Sequence, residues 1–426
     1  MPAPPSGLPG TPPPPVDPPR RPVRLLIVIG VLFGVGLVLV VFLLVRDDGD
    51  DLDEAASQSD PPPTTETPAT EAPEEPASDL PANVQAVVDE SMAFVEEQRG
   101  LEFREPVDIA LLDEEAFTAR IRADLAESFE EDAEEIPADE AFLVAFGLAP
   151  EDVDLRAQAE QYLTGAVLAF YDTEDDELVM RGTEPTPFFR GTLVHELTHA
   201  LDDQHFELFR EELEDAEDER RFAFDALIEG NAIRVQTAFE GALSADEYNQ
   251  MLEEQLSFGG DLDFDQIVEV LIRANEWLYI GSRPLLDALV AEGGEAAVDA
   301  ALEEPPTTSE QVIEPDLFVD DEPVLEVAAP EADGEVTDEG VFGQWFLYYL
   351  LDGFDPLFET TLDIGWGADR YVQWDEGERT CVRGNILGDT PEDTAEWADR
   401  LGEWAADQPD ARVESQGDLA VLTVCG

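Results

Sequence analysis

The chain has 426 residues, room for about two or three domains and a sizeable core. It carries 101 acidic and 22 basic residues, a formal net charge of -79, and every basic residue is Arg. That balance excludes a nucleic-acid binder, which needs a basic face, and the 43% of hydrophobic residues exclude wholesale disorder.

The acidity reads as a solvated surface suited to high salt, where repulsion between like charges is screened. Met1 to Pro19 is Pro-rich, which predicts a cytoplasmic tail over residues 1–24 with no core of its own. Leu25 to Val45 is uncharged and covers about 30 Å as a helix, enough to cross a bilayer. Arg20, Arg21 and Arg24 precede it, and Asp47, Asp48, Asp50 and Asp51 follow Arg46. The positive-inside rule then puts the N-terminus in the cytoplasm and the remainder outside. No small-residue cleavage site follows, so an uncleaved anchor in the cell membrane is expected rather than a signal peptide. Gly30 and Gly34 form a GxxxG through which two anchors can self-associate. Residues 46–80 are rich in Asp, Glu, Pro, Thr and Ser with few large apolar residues, which predicts an extended stalk.

Folding is expected from about Pro81, with one unit over 81–335 and a small α/β subdomain over 336–426. Val84 to Gln98 has helical spacing, and Val107 to Leu112 predicts a strand with Asp113 capping the next helix. Pro137 to Leu163 reads as two helices split at Ala149-Pro150. AVLAFYD and LVMR flank the polar TEDDE as a hairpin. Helices are predicted after Pro187, over Glu217 to Phe239, and over Phe264 to Val290 with an interruption at Pro284. Ala329 to Glu339 reads as a linker. Strands from Tyr371, a helix over Pro391 to Ala406 and the closing LAVLTVC complete an α+β chain. Cys381 and Cys425 lie in apolar, strand-like runs, and an even pair outside a membrane predicts a disulfide.

All three histidines fall in HELTHALDDQH, His195 to His205. His195-Glu196-Leu197-Thr198-His199 is HExxH. On a helix, positions four apart share a face, so both imidazoles reach one Zn²⁺ while Glu196 stands beside its water as a general base. His205 has the offset of a third metzincin ligand, but that geometry needs the helix to break near Asp202. If the helix continues, His205 lies about 9 Å further along the axis than His199. It falls on the stripe Val194, Leu197, Leu201 and Leu208, which favours a core histidine satisfied by a hydrogen bond and leaves His205 as the alternative ligand. Glu229 in DALIEGNA is the better third ligand. It sits on an apolar helical face with Phe222, Ala226 and Ile233, where a carboxylate needs a metal or an ion pair such as Arg234. Asp225 or Asn231 is placed to orient a ligand imidazole, and Tyr171 or Tyr279 is a candidate donor to an oxyanion.

These stretches carry a resemblance. The chain resembles the gluzincin class of zinc metallopeptidases. It is similar to a bacterial family of HExxH proteins, often membrane-anchored or secreted and of unsettled function, through RGLEF, GAVLAFYD, TLVHELTHALDDQHF, LIEGNA, PPTTSEQV and GWGADRY. It departs from that family at Glu314-Pro315, where His-Pro would follow SEQ. The resemblance implies a zincin fold, helical with a small mixed sheet, the HExxH helix behind an edge strand. The expected activity is extracytoplasmic peptide hydrolysis, with a peptide pairing along Ala166 to Tyr171. The alternative is a zinc-stabilised binding or cell-envelope module that hydrolyses nothing. An intact Glu196 favours the enzyme, since a purely structural site needs no general base.

Overall fold

The computed structural model describes residues 80–426, apart from 132, 134, 174, 211–212, 214–217, 259–263, 321–322, 356 and 378. The Pro-rich tail, the span at 25–45 with its GxxxG, and the stalk as far as residue 79 lie outside the described residues. Among the described residues no helix is long and apolar enough to cross a membrane. The fold is mixed α+β, mainly helical, with two small sheets.

Helix α1 (Ala82–Arg99) ends on Gly100, whose φ of 68° suits a residue without a Cβ. Strand β1 (Asp108–Leu112) follows, and Asp113 accepts the Ala116 N–H at 2.9 Å to start α2 (Glu114–Glu131). The pair predicted over Pro137 to Leu163 is α3 (Ile136–Ala145) and α4 (Leu155–Ala166). The hairpin is β2 (Ala169–Asp172) and β3 (Glu177–Arg181). Strand β1 joins β3 in parallel, so the order is β1-β3-β2 and β2 is an edge strand.

Helix α5 (Pro187–Phe206) carries the histidines. Thr186 caps it and Pro187 opens it, where a missing N–H loses nothing. The helix α6 (Asp218–Ala242) packs along it, followed by α7 (Ala245–Ser257) with a Ser244/Glu247 capping box. The single interrupted helix expected over Phe264 to Val290 is instead α8 (Glu269–Ile280) and α9 (Arg283–Gly293). The break falls at Gly281-Ser282, and Pro284 sits in the first turn of α9, where it is tolerated. Three short helices follow: α10 (Glu295–Glu303), α11 (Ser309–Ile313) and α12 (Pro315–Val319).

Strand β4 (Val336–Gly340) takes up part of the expected linker by pairing with β5. After α13 (Gly343–Leu350) come β5 (Ala368–Glu376), β6 (Arg379–Leu387), α14 (Pro391–Ala406), β7 (Arg412–Gln416) and β8 (Leu419–Cys425). Their sheet is antiparallel, in the order β4-β5-β6-β8-β7. Cys381 and Cys425 are direct partners across β6 and β8 and are joined as a disulfide.

One apolar cluster runs from Phe117 on α2 through Trp277 on α8 and Trp345 on α13 to Val424 on β8. Helical body and second sheet therefore share a core. A second cluster gathers Val84, Val88 and Val95 of α1, Tyr171 of β2 and Val235 of α6 around Leu193, Val194, Leu197 and Leu201 of α5. It clamps the HExxH helix between neighbours, and each buried Leu or Val there contributes about 1.5–3 kcal/mol.

A knot of buried carboxylates ties the far ends together. Asp369 accepts from the Phe342 N–H at 2.7 Å, the Gly343 N–H at 2.9 Å and the Trp366 indole at 2.8 Å. Glu310 accepts the Trp366 N–H at 2.6 Å, and Glu219 of α6 accepts the N–H and hydroxyl of Ser309 at 2.6 and 2.7 Å. The PPTTSEQV and GWGADRY stretches thus meet in space as braces for the start of α6 and of α13.

Candidate metal centre

Helix α5 continues unbroken through Asp202 to Phe206, ending where Glu207 turns to a φ of 53°. With no break, His205 stays on the last turn, away from the other two histidines. It is half-buried, and its Nε2 lies 2.9 Å from the Glu102 carbonyl. His205 therefore stands apart from the other two histidines and is not fully buried; it docks the RGLEF segment onto the helix end.

Helices α5 and α6 run antiparallel, Asp202 facing Asn231 and Gly191 facing Gln236 and Glu240. This register brings Glu229 opposite the HExxH turn. Gly230 lets α6 approach the start of α9, because a Cβ there would collide with the Ser282 hydroxyl and Leu286. His195 Nε2 lies 3.2 Å from Glu229 Oε2 and 3.0 Å from His199 Nε2, and His199 Nε2 lies 3.6 Å from the same oxygen. All three residues are buried.

Three donor atoms bound to one tetrahedral zinc at about 2.0–2.1 Å stand about 3.3 Å apart. The observed triangle, 3.0 to 3.6 Å on its edges, fits that requirement. Its chemistry fits too, since two imidazoles and one carboxylate are a common zinc set.

Burial opposes the charge on Glu229, but the neighbouring His199 and His195 overcome it and hold the carboxyl down at about 2. Burial likewise opposes a charged His199, yet Glu229 beside it raises the imidazole to about 9. Burial pushes His195 below the usual imidazole range. Glu196 stands one residue on, sealed from solvent, and burial pushes its carboxyl up to about 8. The Tyr171 backbone N–H on edge strand β2 faces this carboxyl, and Glu196 Oε1 has no partner among the described residues.

The remaining candidates divide. The Tyr279 hydroxyl donates to Glu229, and its ring lies 6.0 Å from that of His195. Tyr171 turns its hydroxyl away, to Asp203 Oδ2 at 3.1 Å and Asp176 Oδ1 at 3.4 Å. Asp225 pairs with Arg221 at 2.7 Å. Asn231 donates to Asp202 Oδ2 at 2.6 Å rather than to an imidazole. Asp202 is a residue that sequence reasoning missed. It lies three positions after His199, on the same face, and the signal was available as a carboxylate within an apolar helix. Arg99 was missed as well: it binds Asp202 at 2.9 Å, Glu295 at 2.5 Å and Asp299 at 2.8 Å. Arg234, the ion pair weighed for Glu229, instead holds Glu295 at 2.7 Å. Comparison with family models, with curated proteins and with solved structures finds no match to this chain.

Proposed function

We propose that this protein is a zincin-like, zinc-dependent peptidase of the gluzincin kind, anchored in the cell membrane by residues 25–45 with its catalytic region outside. The observation that carries the reading is the convergence of His195 Nε2, His199 Nε2 and Glu229 Oε2 beside a buried Glu196. His195, His199 and Glu229 would hold a zinc ion, which would supply Lewis acidity and activate a water molecule.

The chain's own residues do the rest. Glu229 and the two imidazoles bind and orient. Glu196 Oε1, partnerless and desolvated, takes a proton from the attacking water and returns it to the leaving amine. Burial raises the proton affinity of this carboxyl, which suits it to carry a proton. Tyr279 stays protonated, because burial raises its hydroxyl well above the usual range, and it would serve as a donor to a developing oxyanion on release from Glu229. Tyr171 contributes its backbone rather than its hydroxyl. Edge strand β2, beside Glu196, is where an extended peptide would add by main-chain hydrogen bonds.

One observation favours the second reading, a zinc-stabilised module without hydrolysis. His195, Glu196, His199 and Glu229 are all buried, His199 being the most exposed at 7%. The discriminating experiment is cleavage of a broad peptide library in high salt by the full chain and by Glu196→Gln. The peptidase reading expects cleavage that chelation abolishes and zinc restores, and a Glu196→Gln protein that keeps its zinc and cleaves nothing. Equal inertness of the two proteins, both zinc-loaded, would leave the module.

A further inference from the structure

Resting on the metal reading above, we propose that Gln236 is a positioning residue: its side-chain carbonyl receives the Nδ1 proton of His195, and Glu240 fixes which way the amide faces.

A histidine that gives Nε2 to a metal carries its proton on Nδ1, and that N–H needs an acceptor when it is buried. His195 is such a residue. Its Nε2 faces Glu229 and His199, and it is 1% exposed. Its Nδ1 is sealed from solvent and closes no hydrogen bond of ordinary length among the described residues. Within the same core, Gln236 Oε1 is sealed and partnerless too. A buried donor and a buried acceptor left open within one core each carry a desolvation penalty, which their union removes.

The placement supports the pairing. Gln236 lies seven residues after Glu229, two turns along α6 on the same face. Because α6 runs antiparallel to α5, that step carries it past His195 toward Gly191, one turn earlier. Gln236 Nε2 lies 3.9 Å from where a Cβ on Gly191 would stand, and Glu240 Oε1 lies 3.8 Å from it. The side chains of Gln236 and His195 are within interaction reach of each other. The amide could present either end to the imidazole, and Glu240 decides. Gln236 Nε2 donates to Glu240 Oε1 at 2.8 Å, which turns the NH₂ outward and leaves Oε1 for His195. Neither Asp225 nor Asn231 closes a hydrogen bond with this nitrogen.

The test measures zinc affinity of the full chain in mild detergent by competition with a chelator. Gln236→Met keeps the volume and removes the acceptor; it is expected to bind zinc 10–100-fold more weakly with its circular dichroism unchanged. The exchange Gln236→Glu with Glu240→Gln keeps an acceptor toward His195 and a donor behind it, at constant charge. It is expected to restore affinity to the wild-type level, which a role in packing alone would not predict. Where Gln236→Met does not fold, the exchange variant and the wild-type imidazole N–H decide. That proton should appear as a downfield, slowly exchanging resonance in the zinc-loaded chain, lost in His195→Ala. Wild-type affinity in Gln236→Met, weak binding by a folded exchange variant, or a fast-exchanging N–H each overturns the proposal while leaving the metal site standing. A wild-type chain that binds no zinc overturns both.

Discussion

Arg99 and Asp202, 103 positions apart in sequence, meet in the interior with Arg99 Nε donating to Asp202 Oδ1 at 2.9 Å. The guanidinium spends its other nitrogens on Glu295 and Asp299 of α10, and Asp202 spends its other oxygen on Asn231 of α6. This bond therefore joins α1, α5, α6 and α10 one turn beyond His199. Arg99→Met leaves Asp202 3% exposed and short of its cation, so the carboxyl must stay charged in the interior or take up a proton, each at a cost. Breaking such a buried pair costs about 3–5 kcal/mol. The expected result is a fall of that size in urea-unfolding stability, largely recovered in the double variant Arg99→Met with Asp202→Leu. A loss under about 1 kcal/mol, the range of an exposed pair, would mean the network braces nothing.

Acid is expected to stabilise the folded chain over part of the pH range. Burial raises Asp369 to about 6 and Glu310 to about 9, against about 4 in an unfolded chain. The folded state thus holds these protons more tightly. Their contribution is fully present below about pH 4, fades through about 6 for Asp369, and continues to fade toward about 9 for Glu310. At fixed high salt the melting temperature should be higher near about pH 5.5 than near about pH 8.5, by on the order of a few kcal/mol of stability. Asp369→Asn should flatten the lower part of that slope. A melting temperature that rises with pH over this window would contradict the assignment.

The bond between Cys381 and Cys425 closes a separation of 44 residues. On the chain-entropy account that constraint is worth about 4 kcal/mol. Replacing both by Ala should lower stability by about that amount, with the strain range of such links allowing less. Zinc content should not change, since His195, His199 and Glu229 lie on α5 and α6. Loss of zinc in the folded double variant would show that the two regions are coupled more tightly than their positions suggest.

The sequence made some of these features readable and hid others for physical reasons. Glu229 was legible because a carboxylate on the face of Phe222 and Ala226 has nowhere favourable to go without a cation. His205 was legible in part. The stripe through Leu201 and Leu208 announced a continuous helix, but period alone does not reveal that its last turn is half-open. Gln236 left no trace, since an uncharged amide in a helix carries no penalty that a pattern displays. Arg99 and Asp202 depend on contacts 103 positions apart, which local spacing does not encode. Strand β4 was read as a linker because VTDEG has no apolar alternation; it is held from one side only, as an edge strand. The helices α10 to α13 are short and gain their stability from packing rather than from propensity.

The central claim is that two ligands come from α5 and the third from α6. Zinc stoichiometry of the purified full chain tests it most directly, measured by elemental analysis for wild type, His205→Ala and Glu229→Ala at matched folding. The account predicts one zinc per chain in wild type and in His205→Ala, and none retained by Glu229→Ala. A wild-type chain free of zinc, or one whose zinc is lost in His205→Ala and kept in Glu229→Ala, would contradict it.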